Sequence, residues 1–202
     1  MIYPEGTLKA VLMPWGVRVM NQSVSILLQL LEMEPEIRGS VAHALYKRLA
    51  KDTEAAQSAE LIARLKPLLA DPDMEVRCWV AHTLKRIGTE AATDALYEML
   101  HELSAEELEK SYFSRPTYSF LLDGLNQPLA SAGEKLISVF LSEGDRFSDS
   151  VKAHAMGVLG EFLECYRITL PLPESLVSQA EHFAFSGDTE VVKGAVKLLA
   201  IV

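Results

Sequence analysis

Cysteine is nearly absent from this chain. Cys78 and Cys165 are the only two in 202 residues, which excludes a disulfide framework as the source of stability. Neither has a CxxC neighbour, so no zinc knuckle is spelled out and two reduced thiols in a reducing compartment are expected. Long apolar runs are missing too: none reaches the roughly 18 residues needed to span a bilayer. The opening Val11-Leu12-Met13 cluster is too short for a secretory leader and is interrupted by Pro14-Trp15-Gly16. A cytoplasmic protein with no membrane partner is expected. Positive charge is also scarce. The formal net charge is −9, which argues against a nucleic-acid partner, because phosphate binding rests on Lys and Arg. Only residues 1–52 escape the acidic excess, with six Lys and Arg against five Asp and Glu. Phosphate loops, dinucleotide fingerprints, metalloprotease and EF-hand motifs are all lacking. His101, His154 and His182 are scattered without the spacing of a catalytic arrangement. No catalytic residue, metal or cofactor is therefore expected.

What is present is a hydrophobic fraction of 49% with 23% charged residues, ample for a packed core, and a repeat. Ile37-Arg38-Gly39-Ser40-Val41-Ala42-His43-Ala44-Leu45 returns 39 residues later as Val76-Arg77-Cys78-Trp79-Val80-Ala81-His82-Thr83-Leu84. A period of this size marks one supersecondary unit copied along a chain. Such a unit cannot bury its apolar face alone and must stack on its neighbours.

Each unit reads as two helices. Leu61, Ile62, Leu65, Leu68 and Leu69 give Ala55–Leu69 a helical period. Asp71-Pro72-Asp73 breaks it, since proline disfavours helix at the preceding residue, and Asp73 can cap the second helix. That helix runs to Ile87, where Gly88 supplies a left-handed stop, and Glu90–Leu103 opens the next unit. The second-helix pattern recurs at Arg115–Leu122, Ser150–Leu159 and Glu190–Leu199. Pro116 restricts the first of these to a helix start. A polar insertion, Ser104–Lys110, precedes it, and its Glu106-Glu107-Leu108-Glu109 run reads as a solvated helical face or a loop.

Asp71-Pro72-Asp73-Met74-Glu75-Val76-Arg77, Val80-Ala81, Leu84 and Ile87-Gly88 resemble the HEAT repeats, in particular the short bacterial type named after the phycobilisome (PBS) lyases. The resemblance covers nearly the whole chain after residue 22. It implies an all-α, right-handed α-α superhelix of about five helix pairs over residues 22–202, with residues 1–21 as an N-terminal cap and no strand. In the family the arginine matched by Arg38 and Arg77 packs against acidic residues of the inter-helix turn, here Asp71 or Asp73.

A helical wheel over Glu75–Ile87 places Val76, Val80, Thr83, Leu84 and Ile87 on the core side and Cys78, His82, Lys85 and Arg86 on the other. Gly39, His43, Tyr46 and Lys47 are their equivalents one repeat earlier. By resemblance this second set lies on the concave, ligand-facing side. Side-by-side stacking then aligns His43 with His82, and Tyr46 and Lys47 with Lys85 and Arg86. Two readings stand open: duplicated solvated residues, or a basic, imidazole-bearing patch suited to an acidic peptide of another protein, a phosphate or a carboxylate ligand. Helices about 8–10 Å apart keep the two histidines from sharing a zinc ion, whose ligands sit about 2 Å away. Trp79 and Tyr118 read as packing between repeats.

The function these features support is a non-enzymatic protein–protein interaction scaffold. The alternative, implied by resemblance alone, is bilin lyase-like handling of a chromophore or phycobilisome protein. At the C-terminal edge Val191, Ala195, Leu198, Leu199 and Val202 are expected to turn inward against Leu176, Ala180 and Phe183. Ile201 is left exposed, in a monomer or a weak homodimer.

Overall fold

The computed structural model describes residues 23–33, 37–49, 59–112, 115–142, 146–168, 170–185 and 189–201. The expected cap at residues 1–21 lies outside them. The chain divides into two compact units, Met1–Ile87 and Gly88–Val202.

In the first unit α1 (Val24–Met33) pairs with α2 (Arg38–Leu49). Next, α3 (Ala59–Leu65), continued by a 3-10 turn (Lys66–Ala70), pairs with α4 (Met74–Ile87). The change from α to 3-10 geometry falls at Pro67, which has no N–H for an i−4 carbonyl and whose ring crowds that carbonyl. Leu27, Leu31, Leu45, Leu65, Leu69, Val76 and Leu84 close the core between the pairs. The turn before α4 is built on aspartates. The Asp71 carboxylate accepts from the Asp73 backbone N–H at 2.9 Å, and Asp73 caps α4 by accepting from the Glu75 N–H at 2.8 Å. Both repeated arginines meet at Asp71. Arg38 gives Nη1 to its carboxylate at 3.1 Å and Nε to the Leu31 carbonyl at 2.9 Å, while Arg77 gives Nε to its backbone carbonyl. A fork with donors in several directions can do this; an ammonium cannot do it equally well.

The expected stop after α4 is present: Gly88 has φ 65°. Thr89 then caps α5 (Glu90–Glu102) by accepting from the Ala92 N–H at 3.3 Å. In the second unit α5 pairs with α7 (Thr117–Gly124), α8 (Ala130–Phe140) with α9 (Asp149–Tyr166), and α10 (Glu174–Ala184) with α11 (Thr189–Leu199). Together with the two pairs before, this makes five among the described residues, the number expected. The all-α class holds, with one addition. The Ser104–Lys110 insertion forms a short helix, α6 (Ala105–Glu109), held by a capping box in which Ser104 Oγ accepts from the Glu107 N–H and Glu107 returns the bond. Its polar run is not wholly solvated: Leu108 is fully buried. A two-residue antiparallel ladder comes next, β1 (Ser111–Tyr112) on β2 (Arg115–Pro116), with Ser111 opposite Pro116. The expectation of no strand is corrected there. Pro116 cannot continue a helix backwards, so the chain arrives extended and α7 begins only at Thr117.

Small residues set the closest helix approach. A Cβ on Gly194 of α11 would lie 2.6 Å from the Ala153 carbonyl oxygen of α9. At the C-terminal edge Ala195 and Leu198 are buried with Leu176 and Ala180. Phe183 packs on Phe140 with ring centroids 5.7 Å apart. Ile201 is 39% exposed, as expected, and Val196 is 54% exposed. Val191 and Val202 lie outside the residues whose side chains are described.

Candidate functional site

On the first unit, α2 and α4 lie side by side, and their polar faces meet in a run of rings. His43 stacks on Trp79, with centroids 4.1 Å apart and planes inclined by 20°. Tyr46 sits 5.4 Å from Trp79 and 6.2 Å from His82. The Arg86 guanidinium lies 4.9 Å from the Tyr46 centroid and the Lys47 ammonium 5.9 Å from it, both within range of a cation–π attraction. Lys47 and Arg86 are exposed, and the four rings are half-buried. Among the expected site residues, His43, Tyr46, Lys47, His82 and Arg86 therefore converge. Lys85 is half-buried on α4 beside them.

The register differs from the one the repeat suggests. His43 faces Trp79 rather than His82, while Tyr46 meets Arg86 as expected and His82 as well. The pairs His43–Trp79 and Tyr46–His82 are each 36 residues apart, three short of the 39-residue repeat, an offset of α4 along its axis by almost a turn at about 1.5 Å per residue. Tyr46–Arg86 stays near the repeat at 40. The same shift brings the Glu75 carboxylate over Gly39, where a Cβ would meet Glu75 Oε2 at 2.5 Å. Gly39 and Cys78, expected on the outer face, are buried. The reason is that α4 is covered on two sides, by α2 and by α3 with its 3-10 turn, so its buried arc is wider than a single stripe. Ile87, placed with the core, is only half-buried.

Electrostatically this face is basic with one internal acid. Trp79 Nε1 donates to Glu75 Oε1 at 3.4 Å. Burial and the neighbouring Lys47 charge lower the His43 pKa below its ordinary 6.5, only partly opposed by Glu75. The imidazole stacked on Trp79 is thus predominantly neutral at neutral pH. Among the described residues no group of three or more His, Cys, Asp and Glu could hold a metal ion. No helix among them is long and apolar enough to cross a membrane.

A second site, in the other unit, escaped the sequence reading. A cleft of about 520 Å³ opens over α9. Ala153, His154, Gly157 and Glu161 of α9 form its floor; Arg115, Tyr118 and Asp123 stand on one wall, Lys193 and Lys197 of α11 on the other. His154 Nε2 bonds Asp123 Oδ1 at 2.8 Å, and Arg115 Nη2 reaches the other carboxylate oxygen. Burial pushes the Asp123 pKa up, but the bonds and charges of His154 and Arg115 outweigh it and hold the carboxyl below its ordinary value. Across α9, Lys197 Nζ donates to Glu161 Oε1 at 2.7 Å and Asn126 Nδ2 to Glu161 Oε2 at 3.5 Å. Tyr118 meets His154 edge to face at 5.7 Å. Tyr118 and Trp79 thus both do the packing expected of them. The signal that could have found the cleft is the 36-residue separation of Glu161 and Lys197, which Tyr118 and His154 share with His43 and Trp79.

Residues 24–111 match the family described as HEAT repeats. Two solved structures, each described as the crystal structure of an engineered protein from a structural genomics consortium, resemble the chain with a TM-score of 0.50 and 20% identity. One is matched over 88% of this chain and 47% of its own length, the other over 98% and 83%. The chain thus spans about half the length of the first. At this identity the likeness shows the fold: a helical repeat protein. No curated protein sequence matches.

Proposed function

We propose that this chain is a non-enzymatic interaction scaffold that holds another protein on the face shared by α2 and α4. HEAT repeats commonly mediate protein binding, and the fold supplies a rigid backing for such a face. The observation that carries the reading is the ring stack His43–Trp79–Tyr46–His82 edged by Lys47 and Arg86. Half-buried tryptophan and tyrosine beside arginine are the side chains that dominate binding energy in protein interfaces. Their rings are already immobilised, so a partner that covers them loses little further rotamer freedom. The basic edge, on a chain of net charge −9, favours a partner segment with acidic residues.

The test is affinity capture, with proximity crosslinking, by the wild type and by Lys47→Glu/Lys85→Glu/Arg86→Glu side by side. Capture lost by the triple variant at an unchanged melting temperature supports the reading, as do crosslinks that map to α2 and α4. Undiminished capture places the binding surface elsewhere on the chain.

A further inference from the structure

The ring face between α2 and α4 carries its charges in order. The pairs His43–Trp79 and Tyr46–His82 advance together along the two helices, so α2 and α4 run in the same direction. Near their N-terminal ends lies an acid. The Glu75 carboxylate sits over Gly39 and accepts from Trp79 Nε1 at 3.4 Å. The rings follow, and the bases come last: Lys47 in the last turn of α2, Lys85 and Arg86 in the last turn of α4. Along α4 the order is Glu75, Trp79, His82 and Arg86, the i, i+4, i+7, i+11 spacing that keeps to one face of a helix. At about 1.5 Å per residue the track is about 16 Å long. It is open to solvent: Ser40, Lys47 and Arg86 are exposed along it and the rings are half-buried.

This order narrows the partner. A uniformly acidic segment laid along the track would bring its far end against Glu75, like charge to like. A single phosphate or carboxylate covers the bases and leaves the rings and Glu75 bare. The complement is a segment with acid at one end, apolar or aromatic side chains in the middle and a base at the other end. Arg86, held over the Tyr46 ring, still offers its planar N–H fork to a carboxylate. The bond from Trp79 takes only part of what the two Glu75 oxygens can accept. Spacing favours a helix over a strand. A helix repeats the i, i+4, i+7, i+11 steps at the same rise, whereas three same-face steps of a strand, about 6.6 Å each, overrun the track by about 4 Å. Dipoles set the direction. A helix is stabilised by acids in its first turn and bases in its last, so the partner's acidic first turn belongs at the C-terminal ends of α2 and α4.

We propose that the ring face seats an amphipathic helix of the partner protein, antiparallel to α2 and α4. Its acidic first turn lies on Lys47 and Arg86, apolar side chains at i+4 and i+7 cover the rings, and a basic residue at i+11 meets Glu75. This rests on the reading of the face as a protein-binding scaffold and adds the partner's form, direction and charge order. Helices dock in this way on other proteins by presenting anchors three and four residues apart.

The experiment uses the full chain and stapled helical peptides of matched helicity, labelled with fluorescein and read by anisotropy. The first peptide has glutamates in its first turn, leucine and phenylalanine at i+4 and i+7, and lysine at i+11. The second has glutamine in place of that lysine, and the third exchanges the charged ends. The first should bind saturably, and the third about threefold or more weakly. Lys47→Glu/Lys85→Glu/Arg86→Glu should weaken the first about tenfold or more. Glu75→Gln, which keeps the shape of the side chain, should weaken the first about threefold and leave the second unchanged, the coupling expected of a direct pair. A photo-crosslinker at the peptide's N-terminus should mark α2 and α4 near Lys47 and Arg86, and one at its C-terminus should mark them near Ser40 and Glu75. No binding by the wild type, equal binding of the end-exchanged peptide, an equal effect of Glu75→Gln on both peptides, or crosslinks in the opposite order overturns the proposal. So does displacement by inorganic phosphate beyond the effect of matched ionic strength, which points to a simple anion site. Capture of a native partner through the ring face without these peptide results leaves the scaffold reading standing and removes this one, whereas capture undiminished in the triple variant removes both.

Discussion

The imidazole of His43 lies 4.1 Å from the indole of Trp79, nearly parallel to it, and it does so in its neutral form. Burial is the main cause, the Lys47 charge the second, and Glu75 pulls the other way. Because the folded value lies below the unfolded one, the unfolded chain takes up the extra proton first as pH falls. The stability this site contributes is therefore complete above 6.5 and is lost as pH falls below 6.5 toward the folded value. Lys47→Ala should raise the His43 titration midpoint and Glu75→Gln should lower it, both read by NMR. A His43 midpoint at or above the ordinary value in the wild type would contradict the stack as described.

Leu84 and Lys85 are adjacent in sequence and opposite in consequence. Leu84 is fully buried, so Leu84→Ala should cost roughly 2–5 kcal/mol for the lost burial and the cavity left behind. Lys85→Ala should stay within about 0.5 kcal/mol. Urea denaturation measures both, and equal losses would mean that the phase of α4 is wrong.

Two glycines on the α9–α11 contact should respond with opposite signs. Glycine inside a helix is worse than alanine by roughly 0.5–1 kcal/mol. A Cβ on Gly157 would lie 3.7 Å from the Gly194 Cα, an ordinary contact, so Gly157→Ala should be neutral or stabilising. A Cβ on Gly194 would lie 2.6 Å from the Ala153 carbonyl oxygen, and a main-chain atom cannot swing aside. Gly194→Ala should cost about 1–3 kcal/mol as the helices are forced apart. Thermal melts of the two variants rank them; a more stable Gly194→Ala would show that the helices sit farther apart.

Asp71→Ala removes the acceptor of Arg38 and the one that orders the Asp73 N–H in a single step. Its carboxylate is nearly inaccessible and Arg38 only a quarter exposed, so the loss should be about 2–4 kcal/mol, beyond that of an exposed ion pair. Asp71→Asn keeps one acceptor oxygen and should fall between the two. If Asp71→Ala melts with the wild type, the turn is held by other contacts.

The fold was legible in the sequence because its signals are local. Asp73 as a cap, Gly88 as a stop and the apolar period of α4 each depend on a few neighbouring residues, and each stands where it was expected. The arginines were legible through resemblance, and Asp71 proved to be their shared mate. Contacts across helices were less so. A 39-residue repeat fixes which side chains are equivalent but not how far one helix slides along the next, and that displacement decided that His43 meets Trp79. Cys78 went astray because one helix's wheel does not count how many neighbours cover it. The Asp123–His154 pair was invisible for a related reason: its members stand at no equivalent repeat positions, and only the packing of α7 on α9 brings them together.

Arg38 belongs to the first helix pair, yet through Asp71 it completes the turn of the second, 33 residues downstream. Such a bond gives the stack a direction. Arg38 lies upstream of its acceptor, whereas its copy Arg77 turns back to the Asp71 carbonyl of its own pair, so one aspartate serves two successive pairs. Two arginines that look like simple copies thus do different work on one aspartate, and a second pair cut out alone would keep Asp71 but lose the Arg38 that reaches it from the pair before.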